Sequence, residues 1–421
     1  MRQRRAVHAS TLRVVLVVML LAGALSACGH STLAPSRTTS SASAVASTPA
    51  SCRSGGSLTD GDVATAEHFT RTVDGLDLPM REYVLTGSWH LPDTTDRVAA
   101  LRRNTGERQQ VWLMRLAEGR MQRVLLGATQ SAAGFTIGSI RISDTWLAWE
   151  EVGPGDDLRQ TVEWRLYAAP IRGLRALGDP RLITSASSAT ASRPLFDVAG
   201  SRVVWTSTGR DELGERKASH IVRYDLDSER GKVVYTTENL LESLSLKNGC
   251  VLVSETDAAR PALTSLQVLD LATGEKVDAL QVPSAHSLSH WPAWQKGWFA
   301  WTPFAAGEDT YPALYVASGN GDVFAEGSWG VDPCFVGDYM FFQTQRFDPR
   351  RGARTVEVRA LRLRDMTTFV VDSGSPDENE WWQALVGAPD LRRTYVTIAD
   401  RSLFAESAAD AQTVVRIYDV R

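Results

Sequence analysis

The sequence predicts an all-β chain that closes into a β-propeller of about seven four-stranded blades, preceded by a signal peptide and a disordered tether. Three observations predict it. Short apolar strands recur with a period near fifty residues, each period carries two hairpin signatures, and no credible amphipathic helix follows the apolar stretch near the start.

Taken in chain order, the first element is a basic start (Arg2, Arg4, Arg5, Arg13) followed by an apolar run over 14–25. Twelve residues at about 1.5 Å each fall well short of about 30 Å of hydrocarbon. They match the core of a signal peptide instead. Leu25, Ser26, Ala27 and Cys28 follow, and this junction resembles a bacterial lipobox. The resemblance implies cleavage before Cys28, a diacylglycerol on its sulfur, and a mature chain held at the outer surface of the cytoplasmic membrane. An ordinary secretory signal that contains a cysteine is the alternative. Each buried methylene contributes about 0.8 kcal/mol, so two or three acyl chains hold firmly where one is marginal.

The next stretch is rich in Ser, Thr, Ala, Pro and Gly, with too little apolar surface to offset the entropy of ordering. As a flexible coil of about thirty residues it spans roughly 30 Å. The expected layout is a signal peptide over 1–27, a lipid-bearing tether over 28–60 and a propeller over 61–421.

The composition suits a large core: 43% of the 421 residues are hydrophobic and 22% charged. A formal charge of −4 argues against nucleic acid, which calls for a concentrated basic stripe. Only Lys217, Lys232, Lys247, Lys276 and Lys296 are lysines. With Cys28 carrying lipid, Cys52, Cys250 and Cys334 remain, an odd number. Cys250 in GCVLV and Cys334 in PCFVGDYMFF read as buried small hydrophobes, with a disulfide between them as the alternative.

The repeat emerges when strands that follow a tight turn are aligned: DTWLAWEE (144–151), GSRVVWTS (200–207), NGCVLVSE (248–255), KGWFAWTP (296–303), GDYMFFQT (337–344) and RTYVTIAD (393–400). Leu101, Trp149, Trp205, Val253, Trp301, Phe342 and Thr397 are then equivalent, with offsets of 48, 56, 48, 48, 41 and 55 residues. Seven equivalent positions give about seven blades. Six or eight are the alternative counts, because the first repeat is the least regular. After each such strand comes a second hairpin, as in IVRYDLDSERGKVVYTT (221–237), LQVLDLATGEKVDALQV (266–282) and VRALRLRDMTTFVVDS (358–373). Apolar and polar residues alternate, and Asp, Gly, Asn or Ser stands where the backbone reverses. The chain ends in TVVRIYDV, which reads as a third strand. A closing strand must therefore come from AEHFTRTV (66–73) or REYVLTGSW (81–89).

In this pattern, including YDLDSERGK and LDLATGEK, the chain from about 66 to 421 resembles the TolB-like and quinoprotein-like (WD40-like) propellers of bacterial envelopes. The resemblance implies the architecture. Quinoprotein-type repeats close with a tryptophan after the turn, whereas VDAL follows Lys276, so no cofactor is expected.

The turns within the first hairpin of each blade are tight, and the connections between second and third strands are long, as over 151–163, 207–220, 345–357 and 400–412. One end of the ring is trimmed and the other elaborated, and recognition is expected at the elaborated end. The segments entering the innermost strands open there too and are aromatic: 286–294, 327–333 and 377–384. Trp291, Trp294, Trp329, Trp381 and Trp382 beside His290, Asp332, Glu378, Asn379 and Glu380 make a mixture suited to a glycan, a peptide or a partner's loop. Packing between blades is the competing use of each tryptophan.

Catalytic signatures are sparse. If they stand in a strand, Glu378 and Glu380 share one face and supply the alternative reading, acid and base of a hydrolase or lyase acting on an envelope carbohydrate; a solvated acidic loop is the competing reading of the same residues. His286 and His290 have a helical metal spacing but fall in an expected loop with no third ligand, so no metal is expected. There is no GxSxG, no HExxH, and the glycines near 319–321 lack a phosphate loop's third member. The reading is a membrane-anchored, non-catalytic binding or scaffolding module whose partner is an envelope protein or glycan.

Overall fold

The structure is a computed structural model that describes residues 62, 66–69, 71–105, 108–154, 162–173, 176–210, 216–247, 249–257, 263–283, 288–295, 297–303, 313–319, 321–348, 353–374, 381–384, 393–400 and 411–420. They belong to one compact unit, Ala50–Arg421. Cys28 and the tether lie outside the described residues.

Seven four-stranded antiparallel blades form a β-propeller. Blade 4 shows the plan, running from the innermost strand outward as Leu240–Lys247, Cys250–Thr256, Leu263–Asp270 and Lys276–Pro283. Blades 1, 2 and 3 occupy 90–126, 136–187 and 196–237 in the same order. Blades 5 and 6 share a strand. The 14 residues Val323–Val336 begin as the outer edge of blade 5 and end as the innermost strand of blade 6. Trp329 marks the crossover, with Ala313 as its register partner on one side and Gln345 on the other.

All seven repeat residues fall on the second strand of a blade. Leu101, Trp149, Trp205, Val253, Trp301 and Phe342 sit in the packed layers between adjacent blades. Trp149 stacks on Tyr167 at 5.6 Å and Trp301 on Tyr315 at 5.5 Å, each pair being register partners within its blade. Two residues beyond Trp149, the buried Glu151 accepts its indole N–H at 2.9 Å. Pro303 occupies the corresponding place after Trp301, whose Nε1 has no hydrogen-bond partner. In blade 7 the wedge shrinks to Thr397, and Tyr395 fills the layer by stacking on Phe341 of blade 6 at 4.2 Å.

Prolines mark the innermost strands. Pro92, Pro292 and Pro333 stand where the register of these strands slips, between His90 and Asp93, His290 and Ala293, and Val331 and Cys334. An innermost strand has one edge toward the channel, and a bulge there tolerates a residue without an N–H. Gly274 explains the glycine of LDLATGEK: at φ +80° its Cα comes so near blade 3 that a Cβ would meet Val234 O at 1.9 Å.

The closing strand is Met80–Thr86, which pairs antiparallel with Gln412–Asp419. Its side chains tie three blades together. Arg416 reaches Glu82 on the closing strand at 2.8 Å and Asp372 of blade 6 at 2.9 Å, and Tyr418 Oη donates to the same Asp372. Arg81 bonds Asp419 and, with Tyr83 Oη, the Leu116 carbonyl of blade 1. The other candidate for closure takes a different role. Glu67–His68 and Arg71–Asp74 add in parallel to the outer strands of blades 5 and 6. These blades already have four strands each, so the segment seals their open edges. Between the same blades the buried Arg359 pairs with Glu357 at 2.6 Å and with Glu326 at 3.4 Å.

Two of the four long connections are shorter than the sequence suggests, whereas those over 151–163 and 400–412 keep the expected span between strands. Strands reach Arg210 and resume at Arg216, and reach Asp348 and resume at Ala353, because hairpin pairing persists beyond the apolar core. Cys250 and Cys334 are buried thiols, as their apolar surroundings suggest.

Trp149→Ala is expected to cost about 3–5 kcal/mol in urea unfolding, as large buried aromatics do, and Thr397→Ala less than about 1 kcal/mol. Equal costs would mean that the wedge does not hold the blades together. A chain begun at residue 90 lacks the closing strand and should lose its cooperative thermal transition, whereas one begun at residue 79 should keep it.

Candidate binding site at the central channel

Eight residues before each wedge residue, the innermost strand carries Asp93, Arg141, Asp197, Ser245, Ala293 and Cys334 in blades 1 to 6, each paired with the residue before the wedge. Asp93 and Asp197 do the same work. Each accepts its own following amide, and each reaches 2.8 Å to an amide of the next innermost strand, Ile142 and Leu246 respectively. These amides lie on an edge that has no further strand to pair with, and the carboxylates supply the missing acceptors.

Both aspartates are buried, and Arg141 lies between them in the repeat. Burial pushes the Asp93 carboxyl up to about 8, with the Arg141 guanidinium opposing the shift and the Asp197 charge adding to it. The cavity below them, at the trimmed end, encloses about 410 Å³ and is lined by Asp93, Asp96, Asp144, Asp197 and Arg97 among others. Its walls serve the ring: Asp144 accepts from Thr95 at 2.7 Å, and Asp96 accepts the amides of Arg393 and Thr394, joining blade 1 to blade 7. Among the described residues no group of His, Cys, Asp and Glu is arranged to hold a metal ion.

The anticipated funnel residues divide. His290 and Trp291 lie on the innermost strand of blade 5, Leu288–Gln295, and not in a loop, because the strand continues through its bulge. His286, Glu378 and Glu380 lie outside the described residues. Trp294 is buried between blades 4 and 5 with its Nε1 donating to Asp278 Oδ2 at 3.1 Å, so its ring is committed to packing. Trp329 lies at the crossover into blade 6, and Trp381 and Trp382 open the innermost strand of blade 7, Trp381–Ala384. Asp332 sits between them in chain order, at the bulge of blade 6, with φ +57°. Burial pushes its carboxyl up to about 6. The backbone therefore gathers Trp329, Asp332, Trp381 and Trp382 on the innermost strands of two adjacent blades, and sets His290 and Trp291 one blade away.

Residues of the channel that the sequence reading passed over include Asp93, Arg141 and Asp197. Their signal was present: they recur at offsets of 48 and 56 residues, the same as those of the wedges.

No family model matches the sequence, and no curated protein matches it. Among solved structures the chain is similar to the β-propeller domain of the Trilobed protease from Pyrococcus furiosus, at 11% identity over 63% of this chain and 77% of that one, with a TM-score of 0.44. It is similar to Pyrococcus horikoshii acylaminoacyl peptidase at 12% identity over 63% of this chain, TM-score 0.43, spanning 42% of the length of that protein. TolB from Acinetobacter baumannii matches at 13% identity over 76% of this chain and 79% of that one, TM-score 0.37. At these values the likenesses carry no argument about activity, and the propeller rests on the strand pairing above.

The position of Asp93 gives a signed pH dependence. Its folded-state value lies above the unfolded value of about 3.9, so its contribution to stability is full below about pH 4 and is lost as the pH rises through about 8. Asp93→Asn should flatten the fall in urea-unfolding stability between pH 5 and 9. A mutant curve that tracks the wild type would refute the assignment.

Proposed function

We propose that the chain is a lipid-anchored extracytoplasmic protein whose propeller works as a non-catalytic binding or scaffolding module of the cell envelope. The signal peptide over 1–27, the acylated Cys28 and the tether to residue 60 supply the address, and the propeller supplies the surface. The observation that carries this reading is how the chain enters the ring. Glu67 and His68 pair with Phe324 and Ala325, the second and third residues of a strand that starts at the trimmed end. This entry point supports a reading in which the tether approaches from the trimmed end and the opposite end faces outward.

That opposite end receives the connections between second and third strands and the entry to each innermost strand, where the backbone places Asp332, Trp381 and Trp382, with Trp329 at the crossover into blade 6. Aromatic faces beside polar groups on rigid strands suit a partner's loop or a glycan. The trimmed end is occupied by bonds that hold blades together, which argues for a joint there and a receptor surface at the other end.

Cys28→Ala is expected to move the protein from the membrane to the soluble fraction and to abolish incorporation of an acyl label. Retention of the variant would overturn the anchor. In crosslinked capture from intact envelopes, alanine at Trp291 or Trp381 should lose partners that the wild type retains. An unchanged set of partners would overturn the channel mouth as the working surface.

A further inference from the structure

At the elaborated end, where blades 1, 2 and 3 follow one another, two guanidinium groups converge on one glycine. Gly138 and Ser139 stand opposite Glu150 in a bulge of the innermost strand of blade 2, Thr136–Ile142, because the register passes from Ile137 and Glu151 to Ile140 and Trp149. From blade 1, Arg102 Nη1 donates to the Gly138 carbonyl at 3.1 Å. From the entry to blade 3, Arg193 reaches the same residue: a Cβ on Gly138 would meet Arg193 Nη2 at 3.2 Å and Glu150 Oε2 at 2.6 Å. The missing side chain makes room for a charged pair. Ser139 beside it is exposed.

The two arginines differ in what they hold. Arg193 carries the buried Glu150 carboxylate side-on, Nε to Oε1 at 2.8 Å and Nη2 to Oε2 at 2.6 Å. That bond holds its guanidinium above the ordinary arginine range, against the opposing effect of burial. Arg102 forms no ion pair with a carboxylate among the described residues, and burial alone lowers it. Its Nε is buried without a hydrogen bond, while Nη2 on the same edge is unbonded but not buried, and the side chain as a whole is partly exposed. Arg81 Nε is also unbonded, yet Asp419 pairs with that guanidinium at 3.1 Å. Glu151, the register partner of Ile137, is committed elsewhere: it accepts the Thr129 and Gln130 amides and the Trp149 indole N–H. Two cations thus flank Gly138, and one carboxylate serves them.

We propose that Arg102 receives a carboxylate from an acidic loop of a partner protein, on the same Nε and Nη2 edge that Arg193 presents to Glu150. The site lies at the end read above as outward-facing and rests on that reading, but it is separate from the aromatic segments of blades 5 to 7. A carboxylate that meets Nη2 also supplies the acceptor that Nε lacks, and a guanidinium fork favours this two-pronged, charge-assisted pairing. A cation would be repelled by Arg102. A protein loop fits better than a glycan, because the innermost strand that carries the bulge has no further strand on its channel edge, so backbone can approach backbone there.

The test measures binding of tetraglutamate to the full-length protein by titration calorimetry at low salt, with tetraglutamine and trigalacturonate as comparisons. Tetraglutamate is expected to bind and tetraglutamine is not. Arg102→Lys keeps the charge and loses the fork, so it should melt with the wild type and bind tetraglutamate about tenfold more weakly. Arg120→Gln, at the trimmed end of the outer strand of blade 1, should bind as the wild type does. Failure of tetraglutamate to bind, equal binding by Arg102→Lys, or an equal loss in Arg120→Gln would overturn the site. A lower melting temperature for Arg102→Lys would mark the side chain as structural and overturn it too, and tighter binding of trigalacturonate would overturn the protein loop in favour of an acidic glycan. If crosslinked capture depends on Trp291 or Trp381 while tetraglutamate fails to bind, only this site falls. If tetraglutamate binds through Arg102 while capture is indifferent to both tryptophans, this site stands and the aromatic mouth falls.

Discussion

A propeller is a ring only if its last blade is completed from the far end of the chain, and here that constraint falls on one antiparallel pairing. Met80–Thr86 supplies the outer strand of blade 7. Without it the third strand, Gln412–Asp419, would present an open edge, and the layers between blades 6, 7 and 1 would lose a wall. The largest apolar cluster spans these three blades; the Glu82, Arg416, Asp372 and Tyr418 network crosses the junction of blades 6 and 7, and Arg81 and Tyr83 cross that of blades 7 and 1. Arg416 is largely covered, so this network is worth more than an exposed ion pair but costs more to break. The strands just before it, 67–68 and 71–74, run along blades 5 and 6. The segment that leads from the proposed anchor is therefore built into the ring along three successive blades.

Closure sets the terms for the rest. Each blade is polar or apolar according to what its neighbour offers, and the same positions carry different solutions. At the wedge, bulk serves in six blades and fails in the seventh. Beside the channel, carboxylates bind neighbouring amides in blades 1 and 3, while Lys247 of blade 4 reaches past blade 5 to the Phe335 carbonyl at 3.0 Å. The channel is thus stitched by side chains at its trimmed end. At the elaborated end the Asp332 side chain is left partly open.

Much of this was legible in the sequence. The alignment of Leu101 through Thr397 placed every blade, because a wedge must recur wherever two blades pack. The strand over 81–89 was one of two named closures. The choice between it and 66–73 was not legible, since both are short alternating segments and only the register decides which meets an unfilled blade. The crossover strand Val323–Val336 was hidden for a similar reason: its two halves read as separate elements when nothing in the sequence marks a missing turn. Of the anticipated funnel residues, His290, Trp291, Trp381 and Trp382 lie on innermost strands and Trp329 at the crossover into one. That Trp294 turns into the core was not visible, because strand alternation shifts at the Pro292 bulge.

The sequence by itself determined the repeat, the seven second strands, the hairpins and the lipobox-like junction, since each depends on local periodicity and turn chemistry. Tertiary structure decided which segment closes the ring, which carboxylates meet which amides, and that Tyr395 stacks on Phe341 of the neighbouring blade. Those relations join residues dozens to hundreds of positions apart, and they exist only once the ring has fixed the angle between neighbouring blades.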